Sequence, residues 1–130
     1  MKILSQKSTN LAILFREQFV IFLEELYEQF PQESDILIVK IFIKDQIPLI
    51  TIMDYIVKWL IPCVKKIKQR DEDFFLNNDD MFSKLPNAKV LHIKKIWQSG
   101  NLTDEDKEVI WNWFNVFSDI CTKYQKSLEN

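Results

Sequence analysis

Two apolar stripes of helical period, one near each end of the chain, constrain its fold more than any other feature. Leu11, Phe15, Phe19, Phe22, Leu26 and Phe30 recur every three or four residues, the spacing that lines one side of an α-helix. Ile110, Trp113, Phe114, Phe117, Ile120, Cys121, Tyr124 and Leu128 repeat the pattern near the other end. Thr103-Asp104-Glu105-Asp106 precedes the second stripe as a capping signature, with acidic residues in the first turn to suit the helix dipole. Asn10 is placed to cap the first helix, and Pro31 ends it, since a residue before proline resists helical geometry. A helix with one apolar side must bury it against others, so the chain is expected to be a bundle.

Between the stripes the reading is less regular. Ile36–Ile43 is rich in β-branched residues, which favour strands. No second strand is legible to pair with it, and an unpaired strand is not stable; a buried helix ending near Asp45 is expected instead. Pro48 suits the start of a third helix, with Leu49, Ile52, Met53, Ile56 and Leu60 as its stripe. Pro62 either kinks this helix or opens a short one running to about Arg70. The acidic and amide residues of Asp71–Asp80 read as a loop. Its Phe74 and Phe75 are too apolar to stay in water, so one of them should dock on the core. Ala88–Trp97 fits a further helix, and Gly100, the sole glycine, stands where a helix stop wants left-handed backbone. The expected architecture is all-α: one domain over residues 1–130, an irregular bundle of about five main helices with a docked acidic, Phe-bearing loop.

Tests for chemistry give little. His92 is the single histidine, and Cys63 and Cys121 have no neighbouring second ligand, so no structural zinc pattern is present. Asp71-x-Asp73 opens like a calcium loop, but Phe75 occupies a ligand position and the turn glycine is missing. Phosphate-cradling loops need glycines that this chain lacks. A Cys–His nucleophile pair would have to draw on His92 and one of the two cysteines. No metal, no cofactor and no enzymatic activity are expected. A net charge of −2 lacks the basic excess of nucleic-acid binders. Lys65, Lys66, Lys68 and Arg70 do cluster, but Asp71, Glu72 and Asp73 follow at once. The most apolar region, 36–64, is interrupted by Lys40, Lys44, Asp45, Asp54 and Lys58. A membrane span needs about 20 nearly uncharged residues, so none is expected. Two distant cysteines and an N-terminus without an apolar core fit a soluble protein of a reducing compartment, not a secreted one.

The segments Phe19–Pro31 and Asp73–Asp79, with Ile110-Trp111 and Cys121-Thr122-Lys123-Tyr124 near the end, resemble a family of short helical proteins of nucleocytoplasmic large DNA viruses. The resemblance implies a viral protein acting in the host cytoplasm or nucleus, or packed in the virion. It implies no catalytic residue.

The expected function is therefore a non-enzymatic module that binds another protein, or a second copy of itself. Leu14 and Ile21 lie one heptad apart among the glutamates of the first helix. Trp111 lies off the stripe of the last helix, beside Asn115, Ser118 and Thr122; such a residue either folds down over an adjacent helix, such as the one ending at Trp97, or anchors an interface. These three are the candidate partner-binding residues; Trp113, on the stripe, is expected in the core. The alternative is a nucleic-acid-associated accessory protein of viral replication or transcription that uses the cluster at 65–70.

Overall fold

The computed structural model describes residues 4–76 and 97–129, and among them the regular structure is helical throughout. Helix α1 spans Gln6–Gln29, α2 Ser34–Ile41, α3 Leu49–Leu60, α4 Val64–Lys68, α5 Glu72–Leu76 and α6 Asp104–Leu128. The all-α reading holds, with α1 and α6 the two long elements.

α1 begins a turn earlier than its stripe suggests. Ser5, in extended conformation, accepts the backbone N–H of Ser8 at 3.1 Å, so Ser5 is the cap. Asn10 lies inside the helix and accepts from Gln6 Nε2 at 2.8 Å. α6 has the expected box: Thr103 Oγ1 accepts from the Asp106 N–H at 3.1 Å, and Asp106 Oδ2 accepts from the Thr103 N–H at 3.0 Å. The bond from that backbone N–H, followed by one from Gln29, holds the Asp106 carboxyl below its ordinary range.

The Ile36–Ile43 segment is helical. α2 passes into a single π-helical turn, Phe42–Gln46, and Ile36, Val39 and Ile43 are buried. A helix satisfies its backbone internally, and among the described residues there is no strand for this segment to pair with. Pro48 caps α3 from outside, one position ahead of the first helical residue. α3 ends at Leu60, and Pro62 sits in a 3₁₀ turn, Ile61–Cys63, that leads into the short α4, so Pro62 opens a new short helix. α4 ends on a left-handed residue, Arg70, with φ 51°. The Arg70 N–H donates to the Ile67 carbonyl at 3.0 Å and the Asp71 N–H to the Lys66 carbonyl at 3.0 Å, a Schellman stop that usually takes glycine. Gly100, at φ 81°, adopts the expected left-handed conformation.

The acidic stretch is a loop only in part. Asp71 Oδ1 accepts the Phe74 N–H at 3.1 Å and so caps α5. Phe74 packs half-buried against the core, beneath the Lys66 ammonium 5.8 Å from its ring centre. The side chain of Phe75, residues 77–80 and most of the expected 88–97 helix lie outside the described residues, as does His92.

α1 and α6 run antiparallel, pinned along their length. Ser8 and Ser127 hydroxyls meet at 2.6 Å at one end, and Gln29 Nε2 reaches Asp106 Oδ2 at 2.9 Å at the other. Between them Phe117 packs on Phe15, Phe19 and Phe22, with ring centres 5.5, 5.2 and 5.5 Å away. α3 and α4 close the other side of α6, and α2 packs on α1. Each large aromatic buries on the order of 150–250 Å², so this seam supplies much of the driving force for folding.

Candidate protein-interaction face

Trp111 is buried, with 5% of its surface accessible. Its ring meets Trp97 edge-on at 5.5 Å and Phe114 at 5.8 Å. Of the two readings of Trp111, the exposed anchor is thereby corrected, and packing inside the fold against Trp97 holds. α6 is apolar on two sides because it is covered on two sides, by α1 and by α3 and α4. Ser118, also on the flank of Trp111, is buried and donates to the Phe114 carbonyl at 2.8 Å. Small polar residues on that flank therefore mark close packing, not solvent.

Trp97 is held from several directions. Its indole N–H donates to Glu72, and the Lys107 ammonium lies 5.4 Å over its ring and 3.4 Å from Glu72 Oε1. The bond from Trp97, with a smaller contribution from Lys107, holds the Glu72 carboxyl below its ordinary range.

Trp113 is likewise corrected. It is half-buried at the α1–α6 seam, stacked on Phe117 at 5.8 Å, and its indole N–H donates to Glu25 Oε2 at 2.9 Å. A shallow groove of about 90 Å³ opens beside it, lined by Glu25, Gln29, Asp106 and Val109 among others. Sites for drug-sized molecules run to about 300–1,000 Å³, so this groove suits a side chain, not a substrate.

Leu14 and Ile21 are exposed, at 41% and 42%. They are not alone. Val109 and Val116, one heptad apart on α6, are exposed at 50% and 39%. At about 100° per residue, Leu14 and Ile21 share a flank of α1 with Glu25, and Val109 and Val116 share a flank of α6 with Trp113. The Trp113–Glu25 bond joins those flanks. Both lie on the outer side of the helix pair, away from α2, α3 and α4. The two valines were missed in the sequence because the α6 stripe was read as one narrow face; their heptad spacing was the available signal.

The basic cluster is largely paired. Lys66 lies 3.4 Å from Asp71 and Lys68 3.8 Å from Asp119, and Arg70 pairs with Glu108; Lys65 is exposed. Carboxylates from α6 thus offset much of the local positive field. The two thiols are buried. Burial raises the pKa of both, that of Cys121 to about 12, so Cys121 is a protonated packing residue at neutral pH. Among the described residues no cluster of His, Cys, Asp or Glu is arranged to hold a metal ion, and no helix is long and apolar enough to cross a membrane.

Comparison with protein-family models, with curated proteins and with solved structures finds no match to this chain.

Proposed function

We propose that this protein is a non-enzymatic interaction module that binds another protein chain through the outer flank of α1 and α6. The observation that carries the reading is the set of exposed aliphatic residues on adjoining flanks of one helix pair, Leu14 and Ile21 beside Val109 and Val116. Single exposed apolar residues are ordinary; several gathered over one seam mark an interaction surface. Trp113, half-buried at the centre of the seam, is the kind of residue that carries binding energy. The viral setting, in the infected cell or the virion, is proposed on the resemblance of Phe19–Pro31 and Asp73–Asp79 to the large-DNA-virus family.

A photo-crosslinking amino acid at position 116, compared with one at exposed Asp54 on α3, tests the reading in cells that express the protein. Protein adducts formed from position 116 and not from position 54 are expected. Equal labelling from both positions refutes the interaction face.

A further inference from the structure

We infer that the occupant of this face is a second copy of the same chain, docked with its α1 antiparallel to the first; the inference rests on the interaction reading above and names its partner. The ground is charge self-complementarity. Lys7, Leu14, Ile21 and Glu28 follow one another at seven-residue intervals on α1. Over three heptads a straight helix drifts only about 20° per heptad, so the four form one continuous stripe, and all four are exposed. Its order is cation, aliphatic, aliphatic, anion.

Laying two such stripes antiparallel, with Leu14 of one copy against Ile21 of the other, brings Lys7 opposite Glu28 twice, once at each end. The same register sets Glu17 against Gln18 and Glu25 against Asn10, so carboxylates meet an ammonium or an amide and no like charges are opposed. Laid parallel in register, the stripes would set Lys7 on Lys7 and Glu28 on Glu28. Because α6 runs antiparallel to α1, its acidic first turn, Asp104-Glu105-Asp106, lies toward the Glu28 end. A two-fold axis across the helix pair therefore places the Lys7 end of each α1 on the acidic end of its copy. Such an isologous contact is the commonest form of self-association. Among the described residues neither Lys7 nor Glu28 holds an ion pair within the chain, so both charges are available to a partner. Val116 and Trp113 extend the apolar centre beyond the α1 stripe.

The test is sedimentation equilibrium of the purified chain from micromolar to millimolar concentration. The wild type is expected to dimerise, with a dissociation constant that rises with salt as exposed ion pairs are screened. Lys7→Glu and Glu28→Lys should each weaken self-association at least tenfold, because each opposes like charges. Mixing the two variants should restore association as a heterodimer, since every end contact is then attractive. Leu14→Glu with Ile21→Glu should give a monomer with unchanged helical circular dichroism. A wild type that stays monomeric at millimolar concentration overturns the inference, as does a dimer insensitive to all these variants. Specific adducts from position 116 to a different protein, with a monomeric wild type, would overturn the self-docking inference and leave the interaction reading standing.

Discussion

A chain of hydroxyls crosses the seam between α1 and α6, and its direction fixes what Ser127→Ala should cost. Ser127 Oγ donates to the Tyr124 carbonyl at 2.6 Å, so its one proton is committed. The 2.6 Å contact with Ser8 must then be donated by Ser8, and Ser5 Oγ donates to Ser8 at 3.0 Å. Ser8 is 1% exposed. Ser127→Ala removes the acceptor for a buried donor, which costs roughly 1–3 kcal/mol. At about 3–5 °C per kcal/mol for a domain of this size, the melting temperature should fall by about 3–15 °C. Ser8→Ala should cost less, because the Ser127 proton keeps its carbonyl and Ser5, being exposed, turns to water. The double variant removes donor and acceptor together and should recover part of the loss, giving a coupling energy of about 1 kcal/mol in a double-mutant cycle. Thermal and urea unfolding by circular dichroism measure all three. If Ser8→Ala proves as costly as Ser127→Ala, the chain does not run in this direction and the reasoning fails.

Trp111→Ala should destabilise the fold by about 3–5 kcal/mol, as for other buried aromatics, and free the Trp97 indole; an unchanged urea midpoint would place Trp111 at the surface after all. Arg70→Gly should raise stability by up to about 1 kcal/mol, since it relieves a left-handed side-chain residue at a helix stop and gives up only an exposed ion pair worth about 0–1 kcal/mol; a clear loss of stability would show that the Glu108 pair outweighs the backbone strain. The Glu72 carboxyl has a lowered pKa in the folded state. Its contribution to stability is therefore present above the unfolded value near 4.5 and lost as pH falls through the lower folded value. Glu72→Gln should flatten that part of the acid-unfolding curve, and an unchanged curve counts against the Trp97–Glu72 contact.

The sequence made the two long helices legible because their stripes repeat over many turns, and a stripe of that length has one structural reading. The Thr103–Asp106 box was legible for a different reason: its partners lie three residues apart. The start of α1 was not, because both Ser5 and Asn10 are capable caps and only packing of Ser8 against Ser127 selects the earlier one. Trp111 and Trp113 show the same limit on α6. Helical period gives the angle between the two rings but not how many neighbours surround the helix. With α3 and α4 on one side and α1 on the other, the residue read as outward is inside and the one read as inward lies at the rim. The exposed pair Leu14 and Ile21 was visible at once, because glutamates flank it on a helix whose inner side is unmistakable.

The pairing of α1 with α6 also governs when this chain is able to fold. Ser8 and Ser127 are 119 positions apart, so the aromatic seam joins segments that are made well apart in time. At ribosomal rates of about 5–20 residues per second, on the order of 6–24 s separate their translation. Through that interval Phe15, Phe19 and Phe22 have no Phe117 to cover them. Most helical bundles fold rapidly through local contacts; here the local contacts of α1 with α2 form early and the decisive one waits. The nascent chain thus carries an uncovered aromatic helix until α6 has been made, and holding chaperones have a defined segment to recognise.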